Sequence, residues 1–213
     1  MYRQIGIDCQ DRSVAHPARV GETLFVAGEL CNRPLEIRSG VVRAVNHSCE
    51  GHRQIMAFYL PGDVIGLPLA GEHRYTAEAA SPVLCVRHPR TRHGNIGFSI
   101  RGDMNDFLSN IWQEEARFIT RGLILGRVGM LARMSAFLMS IVPALQKSGG
   151  LLELPMSQND IASYLGASAE TVSRTLRQMR EMRVIAMPQR RRLAILASEA
   201  LESLAEGADP DDV

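Results

Sequence analysis

The 213-residue chain is 46% hydrophobic and 22% charged, enough to bury a core in one large domain or two small ones. Its 24 Lys and Arg against 23 Asp and Glu leave a net charge of +1, which at first sight argues against a nucleic-acid partner. Ala136 to Leu145, the longest nearly apolar stretch, is too short for a bilayer, and Met1 to Asp8 lacks the apolar core of a secretory signal, so a cytoplasmic protein with no membrane partner is expected.

Residues 20–90 read as short strands separated by turns. Thr23 to Val26, Val41 to Val45, Gln54 to Leu60 and Val83 to Val86 are β-rich, with Gly21, Gly28, Ser39-Gly40 and Pro61-Gly62-Asp63 between them. That close spacing predicts a β-sandwich or small barrel. From about residue 103 the period becomes helical. Met104, Leu108, Ile111, Glu115, Phe118, Gly122 and Leu125 follow a 4-3 spacing that predicts a long helix with one apolar stripe, which either packs on its own barrel or, as the strict register favours, pairs with its twin in a homodimer. A carboxylate at Glu115 in such a seam has to be hydrated, paired or protonated. A second helix is predicted from about Val128 to Gln146, broken by Lys147-Ser148-Gly149-Gly150.

Residues 157–178 have the layout of a helix-turn-helix. Ser157 and Asp160 form a capping box, Ile161, Ala162 and Leu165 make an inner face, and Gly166 supplies the turn. Ser168 caps a second helix whose Val172 and Leu176 face inward, leaving Glu170, Ser173, Arg174 and Arg177 on one outward stripe at i, i+3, i+4 and i+7. Such a stripe at the start of a recognition helix reaches base edges in the major groove. Arg174 can bond guanine O6 and N7, Glu170 can accept from a cytosine amine, and Ser173 can bond either base type or touch a thymine methyl. Ser157, Ser168, Thr171 and Arg177 suit phosphates, which position without specifying. Val184 to Met187 and Arg192 to Leu196 then flank Pro188-Gln189-Arg190-Arg191, a hairpin wing whose Arg190 and Arg191 suit a neighbouring backbone.

Charge is distributed accordingly. Residues 171–193 hold seven arginines against the single acid Glu181, whereas from Ser198 onward there are six acids and no base. The near-zero total averages a basic block, a footprint for phosphates, with an acidic tail.

Gly166-Ala167-Ser168-Ala169-Glu170-Thr171-Val172-Ser173-Arg174 resembles the recognition-helix signature of the Crp/Fnr superfamily, in the E-x-x-S-R form of its Fnr and FixK branches. Gly21 to Phe25, Gly28-Glu29, Ile37 to Gly40 and Gln54 through Gly66 resemble the family's cyclic-nucleotide-type barrel. The likeness runs in order over roughly residues 5–206 and implies an α+β fold. Its expected parts are an N-terminal segment (1–18), a jelly-roll sensor domain (19–100), a dimerisation helix (101–127), a winged helix-turn-helix (128–206) and a disordered acidic tail (207–213). It further implies a non-enzymatic transcriptional regulator. Its homodimer would read double-stranded DNA at a TTGAT-N4-ATCAA-like palindrome with Glu170, Ser173 and Arg174, work with RNA polymerase, and respond to oxygen limitation, redox state or nitrogen oxides. Ala169 stands where the cAMP-receptor branch has a further base-reading arginine, so that branch's site preference does not carry over.

The departures fall in the sensor. Gly66-Leu67-Pro68 and His73-Arg74-Tyr75-Thr76 lack the family's ribose-binding carboxylate and its paired Arg-Ser/Thr, which argues against cyclic-nucleotide control. Cys9 to Val14 resembles the cysteine motif of the [4Fe–4S] branch, but Arg12 replaces its second cysteine and no third follows before the barrel; Cys85 resembles the barrel cysteine. Two of four thiolates do not make that site, so no cofactor is expected. The alternative is a cluster or thiol redox sensor that adds Cys31 and Cys49 to Cys9 and Cys85. The six histidines show no metal-ligand spacing. A cupin-like enzyme would need His and Glu ligands on facing strands, which are not visible, and a simple cyclic-nucleotide-binding module would need the missing phosphate motif.

Overall fold

The computed structural model describes residues 14–31, 33–47, 53–67, 71–88, 104–145, 151–189 and 191–209. Among them, β1 (Val14–Ala18), β3 (Leu35–Ser39), β6 (Val64–Ile65) and β8 (Val83–Arg87) form an antiparallel sheet in the order β1-β8-β3-β6. A second sheet, β2-β7-β4-β5, is built from β2 (Thr23–Phe25), β4 (Val42–His47), β5 (Arg53–Tyr59) and β7 (Thr76–Ala79). Alternation along the strands turns Leu35, Ile37, Val42, Ala44, Ala57 and Cys85 into the space between the sheets. The sandwich begins earlier than the sequence pattern predicts: β1 pairs along β8 from Val14, so residues 14–18 belong to the sensor domain and not to a separate N-terminal segment.

Strand β5 is apolar on both faces for a reason its register makes plain. Val45 pairs with Ile55 but Ala44 pairs with Ala57, so β5 carries one extra residue at a bulge. The bulge reverses the alternation and brings Ile55 to the same outer face as Phe58 and Leu60. Ala57 and Tyr59 still face inward.

Helix α1 (Met104–Leu125) follows, then α2 (Met130–Leu145), β9 (Leu151–Glu153), α3 (Gln158–Leu165), α4 (Ala169–Glu181), the hairpin β10 (Ile185–Gln189) and β11 (Arg192–Ile195), and α5 (Ser198–Glu206). The wing is a three-stranded sheet, β10-β11-β9, because β9 adds to the hairpin expected from the sequence. Helix α5 has no counterpart among the sequence expectations. It buries Leu201, Leu204 and Ala205 and leaves Glu199, Glu202 and Glu206 exposed, so the acidic run starts as an amphipathic helix. Among the described residues no helix is long and apolar enough to cross a membrane.

The outer face of β4–β5 and the helical domain share one core. Val45, Ile55, Phe58 and Leu60 cluster with Met134, Phe137, Leu138 and Tyr164. Phe137 is fully buried, with ring centroids 6.2 Å from Phe58 and 5.3 Å from Tyr164.

Helix α1 lies along the sandwich. Ile111 packs on Val64 and Leu67, and the Phe118 ring is 6.0 Å from that of Tyr75. Glu114 is buried and accepts a 2.6 Å hydrogen bond from the Tyr75 hydroxyl, with the Tyr59 hydroxyl at 3.4 Å. Arg117 pairs with Asp63, and Glu115 pairs with Arg74, whose guanidinium also sits 5.5 Å from the Phe118 centroid. The other side of α1 exposes Leu108, Trp112, Ile119 and Leu123.

The helix thus takes the arrangement on its own sandwich that its spacing also allows. Ile111 and Phe118 are half-buried against the chain's own sandwich, and Leu125 lies beside Gly166 of the helical domain. Leu108 and Gly122 are exposed, and the Met104 side chain lies outside the described residues. The free apolar stripe is Leu108-Trp112-Ile119-Leu123, rotated by about one position from the predicted one.

Candidate nucleic-acid interface

Local chemistry builds the reader. At the start of α3 the Ser157 hydroxyl accepts from the Asp160 N–H at 3.1 Å, and Asp160 Oδ2 accepts from the Ser157 N–H at 3.1 Å, a reciprocal capping box. The helix stops at Gly166, whose φ of +65° is the left-handed conformation that glycine adopts without a Cβ penalty. Ser168 caps α4 by accepting from the Thr171 N–H at 3.1 Å, and the two hydroxyls lie 2.9 Å apart. Both helices are thus capped by side chains at their starts, which fixes α4 relative to α3.

Helix α4 buries Val172, Thr175, Leu176 and Met179 and exposes Glu170, Ser173, Arg174 and Arg177. The four stripe residues come together as the spacing requires. Arg174 donates to Glu170 at 2.7 Å, with side-chain exposures of 75% and 80%. A pair so exposed adds only about 0.3–0.5 kcal/mol to the helix; its use is to hold the guanidinium near the N-terminal turn while leaving donors free. Thr171 is half-buried, with its hydroxyl beside that of Ser168.

In the wing, Gln189 pairs with Arg192, so the chain turns between them. Arg191 is exposed at φ +68°, and its carbonyl accepts from the Leu154 N–H at 2.7 Å, which ties the tip to the strand side of the domain. Arg190 lies outside the described residues. Ser157 is half-buried, with its hydroxyl engaged by Asp160 at 2.8 Å.

The sensor residues have a different character. Cys31 donates to the Gly66 carbonyl at 2.7 Å, and burial pushes its thiol up to about 11. Cys85 sits in the sandwich core, its thiol raised by burial, with the His16 carbonyl 3.4 Å away. Both thiols are buried and face backbone carbonyls. Cys9 and Cys49 lie outside the described residues. Among the described residues no group of three or more His, Cys, Asp or Glu is arranged for a metal ion. Arg74 pairs with Glu115, next to the buried Glu114 carboxyl.

A β-sandwich, a long helix and a winged helix-turn-helix with a basic outward stripe define a DNA-binding regulator with an N-terminal sensor-type domain. Comparison with known proteins agrees. Residues 132–204 match the Crp-like helix-turn-helix domain and residues 16–96 the cyclic nucleotide-binding domain. The nitrogen fixation regulation protein FixK of Rhizobium meliloti is 31% identical over 184 residues, 86% of this chain and 83% of that protein. The FixK of Azorhizobium caulinodans is 34% identical over 192 residues, 85% of this chain and 75% of that one. The solved structure of FixK2 from Bradyrhizobium japonicum superposes with a TM-score of 0.82 at 28% identity, covering 93% of this chain and all of that one. The chain belongs to the Crp/Fnr family of transcriptional regulators, similar to its FixK and Fnr members, which are regulators and not enzymes.

Sequence reading missed the contacts that join reader to sensor. Asp160 of the capping box pairs with Arg43 of β4, and Ser163 of α3 meets the edge of β5. Polar residues at these positions look like ordinary helix surface until the sandwich is placed beside them.

Proposed function

We propose that two copies of this chain pair along α1 and read a TTGAT-N4-ATCAA-like palindrome, each copy placing α4 in one major groove. The observation that carries this reading is the exposed stripe Glu170-Ser173-Arg174 on an α4 capped by Ser168. Arg174 addresses the guanine, Glu170 the cytosine amine, and Ser173 the adjoining thymine or adenine. Ser168, Thr171, Arg177 and the wing arginines Arg190 and Arg191 hold the backbone, and Ser157 contributes at the start of α3. The pairing face is Leu108-Trp112-Ile119-Leu123, large apolar side chains left in water on a single copy.

The protein acts in the cytoplasm with RNA polymerase, in a response to oxygen limitation, redox state or nitrogen oxides, and needs no bound cluster or cyclic nucleotide to read DNA. The names of the FixK and fumarate and nitrate reduction relatives support that setting, and the burial of Cys31 and Cys85 against the Gly66 and His16 carbonyls supports independence from a cluster. The deciding experiment is a titration of purified protein on the palindrome and on a scrambled duplex at two salt concentrations. Preference for the palindrome without added cofactor is expected. Equal binding to both overturns the reading. Protein purified anaerobically is expected to show no cluster absorption and no stoichiometric iron or sulfide; a full cluster would replace this reading with the redox-sensor one.

A further inference from the structure

Helix α3 carries the recognition helix, and it is fastened at three points along its length to parts of the chain outside the helical domain. At its first turn Asp160 Oδ1 accepts from Arg43 at 2.8 Å, with Arg53 at 3.7 Å, and both arginines also bond Glu78 of β7 at 2.9 and 2.8 Å. In its last turn the Ser163 hydroxyl accepts from the Ile55 N–H at 3.0 Å and lies 3.3 Å from the Arg53 carbonyl, to which it can donate. It takes the place that a neighbouring strand would have on the open edge of β5. In the same turn the Tyr164 carbonyl accepts from Nε of the buried Arg121 of α1 at 3.0 Å.

The covalent route from α1 to the helical domain is tied to α1 and α2, the Arg127 N–H donating to the Ile124 carbonyl at 3.1 Å and Arg133 Nε to the Arg127 carbonyl at 3.0 Å, and so does not itself hold α3. It runs through Gly126-Arg127-Val128-Gly129, with φ of +83° at Gly129 and Val128 fully out in solvent. The apolar contact of Phe58, Phe137 and Tyr164 gives adhesion, which is non-directional. Charge-assisted and backbone hydrogen bonds give direction. Two glycines in the connection, an adhesive centre and three directional fasteners make a device that sets an angle.

We propose that Arg43, Arg53 and Arg121, acting through Asp160, Ser163 and the Tyr164 carbonyl, set the half-site spacing that a pair of these chains accepts. The inference rests on the palindrome reading above. Because α1 carries the pairing face and α4 follows α3 through a capped turn, holding α3 to the sandwich and to α1 fixes where the two recognition helices stand relative to each other. One base pair of spacer moves a half-site by about 3.4 Å and turns it by about 35°. An eight-residue α3 is about 12 Å long, so an end loosened by about 3 Å swings α4 by about 15°. That is a sizeable part of one spacer step. These six groups are positioning residues that touch no base.

The test uses the full chain on duplexes in which the two half-sites are separated by three, four or five base pairs. Ser163→Ala removes the edge contact while keeping a strong helix former. Arg43→Gln is added to it; Asp160 is untouched, so the capping box survives. Wild type is expected to favour one spacer by about tenfold or more, and the double variant to lose most of that preference. Its discrimination between a matched half-site and one with a changed guanine should stay as in wild type. Arg43→Lys keeps the charge but cannot bridge Glu78 and Asp160 as the guanidinium does, so when it replaces Gln it should restore only part of the spacing preference. A double variant with the wild-type spacing preference overturns the proposal, as does one that loses half-site discrimination in the same proportion. Ser163→Ala alone serves if the double variant does not fold. A wild type indifferent to the palindrome at every spacing fails the palindrome reading first, and the proposal with it.

Discussion

Arg174→Ala isolates base reading from everything else the protein does. The side chain is three-quarters exposed and its polar contact is Glu170 at 2.7 Å, so removing it costs the fold no more than the surface pair, about 0.3–0.5 kcal/mol. The melting temperature should barely move. On DNA the effect is larger. A bidentate arginine–guanine contact supplies about 1–3 kcal/mol of discrimination, and a symmetric pair forfeits two of them, so about 2–6 kcal/mol. That is about 30-fold to 2 × 10⁴-fold in the ratio of affinities for the palindrome and for a duplex with both guanines replaced. Glu170 worsens the outcome, since the unpaired carboxylate then stands at the DNA face. Fluorescence anisotropy at fixed salt on both duplexes measures the ratio directly. Weak, salt-sensitive binding without preference is expected. A variant that still separates the two duplexes as wild type does refutes the assignment of Arg174 to guanine.

The wing gives a different signature. Arg190→Ala with Arg191→Ala should weaken matched and scrambled duplexes alike, and should reduce the slope of log K against log salt by about 0.9 for each phosphate that the wing no longer neutralises; a changed base preference would count against the wing as a backbone contact. Ile119→Glu with Leu123→Glu puts charge on two side chains that are 60% and 66% exposed in a single copy. Sedimentation should then show single chains and intact helical content, whereas an unchanged dimer would move the pairing face elsewhere. Glu114→Gln tests the buried carboxyl. Burial raises its pKa above the ordinary 4.5, opposed by the Tyr75 hydrogen bond and the nearby Arg74. The folded state therefore holds the proton more tightly than the unfolded one, and wild-type stability falls as pH rises from the ordinary value through the raised one. The glutamine variant lacks this penalty, so its melting temperature should gain on wild type as pH rises from the ordinary carboxylate value toward neutrality; a gap that shrinks with rising pH would mean that Glu114 is stabilised as the anion.

Some of the molecule is legible residue by residue because its causes are local. A capping serine, the acid three positions later, a glycine at the turn and an i, i+3, i+4, i+7 stripe all act within one or two helical turns. Ser157, Asp160, Gly166, Ser168 and Arg174 stand in the structure where their spacing put them. The wing hairpin is visible for the same reason, and β9, its third strand, is not, since it arrives from a distant part of the chain, Leu152 pairing with Leu193.

Helix α1 shows where local pattern stops deciding. Two apolar stripes run along it, and spacing alone ranks neither. The sandwich takes Ile111 and Phe118, and what is left over is Leu108, Trp112, Ile119 and Leu123. The bulge in β5 is similar: Gln54 to Leu60 reads as an ordinary strand, yet one extra residue opposite Ala44–Val45 turns Ile55 outward, on the edge strand that Ser163 meets. Caps, turns and the base-reading stripe are therefore set by residues close in the chain, whose geometry is the same in any fold. The apolar face left free on α1 and the seating of the reader on the sensor are set by long-range packing. Which of two apolar faces is buried, and which polar side chain meets an open strand edge, depends on what the rest of the chain brings alongside.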